Sequence, residues 1–107
     1  MRVLSFVSAS VSPDRRDEVI RPYTEAVGGD LGPGVRQTFL LAGEDNMMAI
    51  ATVWDSREAL ESYIDSVEEP FARRVLRAAG GEPEVRFFDI HAEGQSGSTA
   101  SGAAPKP

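Results

Sequence analysis

Residues Ala49–Ser66, AIATVWDSREALESYIDS, join a strand to a helix and set the face the two share. The run from Met47 to Trp54 is almost wholly apolar, the composition of a strand buried on both sides. Cap chemistry follows at Asp55-Ser56, and Asp55 stands at capping-box spacing from Glu58, with the aspartate in the cap role. Ala59, Leu60, Tyr63, Ile64 and Val67 then recur at three- and four-residue steps, one face of a helix that reaches about Ser66. The junction also puts the single tryptophan and one of the two tyrosines beside one prospective cavity.

Toward the N-terminus, Val35 to Ala42 reads as a strand. Alternation puts Val35, Gln37, Phe39 and Leu41 on one face and Arg36, Thr38, Leu40 and Ala42 on the other. Gly43-Glu44-Asp45-Asn46 is a connection of hairpin length, and Leu31-Gly32-Pro33-Gly34 is a turn cluster. Ser12-Pro13-Asp14 starts a helix, with a cap hydroxyl, proline at the first position and acid in the first turn. Its apolar face is Val19, Ile20, Tyr23, Ala26 and Val27, and Gly28-Gly29 ends it. Pro22 is expected to kink or split it near Arg21, because proline lacks the amide and crowds the preceding turn. Arg2 to Val11 carries apolar groups on both faces and suits a central strand.

Toward the C-terminus, Pro70 begins a second helical piece with Phe71, Val75, Leu76 and Ala79, closed by Gly80-Gly81. A last strand runs from Glu84 to Ala92, with Val85, Phe87, Asp89 and His91 opposite Arg86, Phe88, Ile90 and Ala92. The order is βαββαβ. It predicts an α+β, ferredoxin-like fold: a four-stranded antiparallel sheet with two helices on one face. Such helices cover one side of a sheet whose strands are apolar on both. A second copy, closing sheet against sheet in a two-fold homodimer, is the expected cover. The folded domain is read as residues 1–93. Residues 94–107 are Gly, Ser, Ala and Pro with little else, and are read as a disordered tail.

The chain has 107 residues and a net charge of −6. That acidity argues against nucleic acid or an anionic membrane as partner. No apolar run approaches the ~20 residues of a bilayer span. There is no cysteine, so disulfides, thiol nucleophiles and thiolate metal sites are excluded. One histidine without local ligand spacing gives no metal signature. A cytoplasmic setting is expected.

The βαββαβ order, the strand ending in Trp54-Asp55-Ser56 and the helix pattern Ala59-Leu60-x-x-Tyr63-x-x-Ser66 resemble the dimeric α/β-barrel superfamily. Within it the chain looks most like the antibiotic biosynthesis monooxygenase group, over roughly residues 1–93. The group holds cofactor-free oxygenases of aromatic polyketides and quinols, and heme-degrading enzymes. The heme branch resembles this chain around Trp54. It places a second Trp where Tyr63 stands and an iron-ligating His where Arg73 stands, and an asparagine in its first strand that residues 3–11 lack. The resemblance therefore implies the cofactor-free branch: no cofactor, a dry pocket, and a hydrophobic aromatic, quinol or polyketide-like substrate that supplies its own electrons to oxygen. A non-catalytic small-ligand-binding or stress-responsive barrel is the alternative, and an isomerase or cyclase a third.

Candidate residues follow. Trp54 could wall an aromatic pocket or simply pack in the core. Tyr63 could donate to a substrate oxygen or be an amphipathic core residue. Asp89 and His91 share a strand face, so they could pair as a general base; an exposed histidine beside the tail is the plainer alternative. Arg36 and Arg86 could hold an anionic or phenolate substrate, with solvated sheet-edge positions or dimer salt bridges as the rival reading. Phe39 and Met48 are candidate substrate contacts, with core packing the rival for Met48.

Overall fold

A computed structural model describes residues 1–95. Its elements are β1 (Val3–Ser10), a 3-10 turn (Pro13–Arg15), α1 (Asp17–Val27), β2 (Val35–Ala42), β3 (Met47–Trp54), α2 (Arg57–Ser66), α3 (Phe71–Ala78) and β4 (Glu84–Asp89). The strands form one antiparallel sheet in the order β2-β3-β1-β4, an α+β ferredoxin-like arrangement. The tail expectation falls on Gly94–Pro107, of which residues 96–107 lie outside the described residues.

The β2–β3 hairpin turns through Asp45 (φ 56°) and Asn46 (φ 63°). Left-handed backbone at both central positions twists with the strands, and Asn and Asp tolerate it. β3 and β1 then pair along their full length, from Val3 opposite Trp54 to Ser10 opposite Met47. α3 ends in a Schellman arrangement: Gly81 N donates to Leu76 O and Gly80 N to Arg77 O, both at 2.9 Å, with Gly80 at φ 92°. The Arg15 guanidinium adds a further bond to Ala78 O at 3.1 Å and hydrogen-bonds Glu18, which holds that carboxyl below its ordinary range.

Four details of the helices and of β2 differ from the sequence reading. The helix expected from Pro13 begins as the 3-10 turn, becomes α-helical only at Asp17, and gains no cap bond from the Ser12 side chain. Pro22 does not split α1; its missing amide deprives only the carbonyl one turn back, and the break falls before Asp17 instead. The cap of α2 is Ser56, whose Oγ accepts from Ala59 N at 3.1 Å, not Asp55. β2 carries a bulge between Val35 and Gln37, so Val35 turns to the same side as Thr38 and Leu40 instead of following Gln37 and Phe39.

The helix-facing side of the sheet holds two separate packed clusters. One gathers Val7, Ala9, Val11, Val19, Met48, Val75, Leu76 and Ala79. The other is Val3, Trp54 and Leu60, with Val35, Ala59, Tyr63 and Ile64 against it. Among the described residues no helix lies over the opposite side of the sheet, and Phe39, Leu41, Met47 and Phe88 there are 42–47% exposed.

Candidate functional site

A cavity of about 650 Å³ lies on the helix side of the sheet, with walls from both packed clusters. This is within the range of small-molecule sites. β1, β2, β3 and β4 supply its floor through Ser5, Thr38, Thr52 and Phe87. α1 brings Tyr23, α2 brings Tyr63 and α3 brings Phe71. The turn ending at Gly34 reaches the rim, and Gly34 sits there for lack of space: a Cβ would come 2.6 Å from Ala59 Cβ, at φ 85°.

Trp54 and Tyr63, which the sequence places together, do meet. Their ring centroids are 5.3 Å apart with 32° between planes, and both line the cavity. The junction explains it: Trp54 is the last residue of β3, its side chain faces α2, and Tyr63 lies on the α2 face turned back toward the sheet. Trp54 is 5% exposed, and its indole N–H donates to Ser5 Oγ at 3.0 Å. The Tyr63 hydroxyl accepts from Phe71 N at 2.8 Å, which leaves its own proton to donate.

The other six candidates are not brought to this cavity. His91 lies two residues past the end of β4 and is exposed; β4 ends at Asp89, opposite Val3, with one further backbone bond from Ile90 N to Arg2 O at 2.9 Å. Asp89 is held by Arg57 at 2.8 Å, so its carboxylate has another partner than His91. Arg36 is carried outward by the bulge and pairs with Asp55 at 3.1 Å. Arg86 lies on the uncovered face, exposed, 3.7 Å from Glu84. Phe39 is on that face too, 42% exposed. Met48, 1% exposed, is packed inside the larger cluster.

Residues that sequence reasoning passed over add hydroxyls to the lining beside that of Tyr63. Tyr23 Oη donates to Thr38 Oγ1 at 3.1 Å, and Thr38 Oγ1 lies 3.1 Å from Thr52 Oγ1. Their one signal in the sequence is a hydroxyl at a core-facing position of an otherwise apolar strand. Formal charge enters the lining only at Asp30 and Arg73. The Asp30 carboxylate accepts from Gly32 N at 3.1 Å.

Compared as a sequence, the chain matches no family model and no curated protein. Compared as a structure, it is similar to SnoaB, a cofactor-independent oxygenase from Streptomyces nogalater. The TM-score is 0.61 at 19% identity, over 86% of this chain and 95% of that one. It is similar to an antibiotic biosynthesis monooxygenase with TM-score 0.61 and 16% identity, over 84% and 99% of the two chains. The chain shares their α+β ferredoxin-like fold. A MhuD mutant with two manganese protoporphyrin IX bound per active site shares this fold at TM-score 0.65 and 14% identity, covering 88% and 99%. The one histidine of this sequence, His91, stands exposed beyond β4 and is not among the residues that line the cavity. Among the described residues no cluster of three His, Cys, Asp or Glu side chains could hold a metal ion.

Proposed function

We propose that the protein is a cofactor-independent monooxygenase acting on a hydrophobic aromatic, quinol or polyketide-like substrate. The observation that carries this reading is the cavity itself, with aromatic walls at Trp54, Tyr63, Phe71 and Phe87, hydroxyls on its floor, and formal charge only at Asp30 and Arg73. An electron-rich ring supplies its own electrons to oxygen, so the protein has to bind and orient the ring and exclude water. Trp54 walls the ring site and Tyr63 donates to a ring oxygen. The likeness in fold to a cofactor-independent oxygenase supports the same class.

The test is oxygen uptake with a panel of naphthols, naphthoquinols and fused-ring phenols, run with anaerobic controls. Turnover is expected to need O₂. Product formed undiminished without O₂ overturns the reading. Tyr63→Phe is expected to lower turnover about tenfold to a hundredfold by removing a donor aimed at developing charge.

A non-catalytic ligand-binding protein is the rival. One observation favours it: Asp89 and His91, the expected acid–base pair, lie away from the cavity. Binding of the panel with no oxygen uptake decides for the rival. The apolar residues on the uncovered sheet face support a homodimer through that face. A cytoplasmic setting remains part of this reading; no helix among the described residues is long and apolar enough to cross a membrane.

A further inference from the structure

The cavity floor carries a row of hydroxyls whose protons are not all used within the protein. Cross-strand pairing lines up Thr38, Thr52 and Ser5 across β2, β3 and β1, on the helix side of the sheet. The rows on either side are apolar: Val35, Trp54 and Val3 on one, Leu40, Ile50 and Val7 on the other. Tyr23 extends the line from α1 through its bond to Thr38. Valine or alanine at these strand positions would continue the apolar rows with no polar atom to desolvate.

Each hydroxyl has one proton and two acceptor sites. The Tyr23 proton goes to Thr38 Oγ1. Thr38 and Thr52, 3.1 Å apart, place one proton between them, so one threonine proton is left whichever donates. Ser5 Oγ accepts from Trp54 Nε1, which leaves the serine proton as well. Ser5, Thr38 and Thr52 all line the cavity. The row is thus a set of donors in search of an acceptor, with no cation in it to attract a carboxylate.

We propose that this row is an oxygen-recognition subsite that donates hydrogen bonds to the carbonyl oxygen of an uncharged fused-ring ketone or quinone. The proposal rests on the reading of the cavity as an aromatic site, and adds the group on the ring that is recognised and the residues that do it.

The probes are 1-tetralone and tetralin, which share a fused-ring skeleton and differ in one carbonyl. Titrations are made under nitrogen and followed by the fluorescence of Trp54, the sole tryptophan. Thr38→Val/Thr52→Val is expected to weaken 1-tetralone about fivefold to tenfold, the worth of one hydrogen bond, and to change tetralin less than about twofold. The same pair made with Tyr23→Phe leaves no phenol unpartnered in the core and is expected to give the same loss. Thr38→Ser/Thr52→Ser is expected to retain the affinity for 1-tetralone. Equal losses for both probes, or no loss for either, overturn the subsite. Failure of the wild-type protein to bind either probe overturns the subsite together with the cavity reading. Selective loss of 1-tetralone in a protein that consumes no oxygen supports the subsite and removes only the oxygenase.

Discussion

Trp54 is fixed by two contacts of different kinds, and they can be separated. Its ring meets Tyr63, and its N–H reaches Ser5 Oγ across the paired strands. Ser5 is 8% exposed, so removing its hydroxyl strands a buried donor where water is scarce. Ser5→Ala is expected to cost about 1–3 kcal/mol in urea unfolding followed by tryptophan fluorescence. A loss well below that range would mean that the indole finds another acceptor. Gly34 is the second residue on which local geometry depends. A side chain there meets Ala59 Cβ at 2.6 Å and must also adopt φ 85°. Gly34→Ala is expected to destabilise by about 1–3 kcal/mol. Gly34→Ala/Ala59→Gly should regain the part due to the clash and keep the part due to backbone strain, since only touching residues couple in such a cycle. Full recovery in the pair would remove strain from the account.

At the scale of elements, the start of α2 separates two readings of one short sequence. Asp55 and Glu58 have capping-box spacing, yet the cap bond comes from Ser56, and Asp55 is turned outward to Arg36. Ser56→Ala is therefore expected to cost about 1 kcal/mol. Asp55→Ala breaks only an exposed ion pair, and is expected to cost about 0.5 kcal/mol or less. Thermal unfolding of the two variants checks the order, and the reverse order would restore Asp55 as the cap. The same junction shows how much of the site could be read in the sequence. Trp54 and Tyr63 were legible because a strand end and a helix face a few residues apart must share a side. The hydroxyl row was not, because Ser5, Thr38 and Thr52 are far apart in sequence and become neighbours only through strand pairing. Each alone reads as a polar interruption of an apolar strand. Arg36 misled for a related reason: alternation assigns faces correctly until a bulge adds one residue, and nothing in Val35-Arg36-Gln37 announces the bulge. Asp89 and His91 share a face only if the strand continues, but β4 ends at Asp89 and His91 lies beyond it, past the Ile90 N to Arg2 O bond of 2.9 Å.

On the scale of the whole molecule, the question is what covers the second side of the sheet. Cross-strand rows there read Phe39, Ala51, Phe6 and Arg86, and beside them Gln37, Val53, Leu4 and Phe88. Large apolar groups on the outer strands flank small residues on β3, where Ala49 and Ala51 are 2% and 6% exposed. The result is a shallow apolar trough, on which a second copy of the same sheet is expected to dock about a two-fold axis. A homodimer predicts a mass in sedimentation equilibrium of about twice the 11.5 kDa of one chain. It also predicts a Tm that rises with protein concentration, because association stabilises the folded state by mass action. Phe39→Asp/Phe88→Asp puts two carboxylates on the trough without touching the cavity, whose lining includes neither residue. That variant is expected to sediment as a monomer, with a Tm lower than the wild type and independent of concentration. If it still binds 1-tetralone with wild-type affinity, the cavity is complete within one chain. A wild-type protein that sediments as a monomer over the same concentrations would leave the trough uncovered and overturn the dimer.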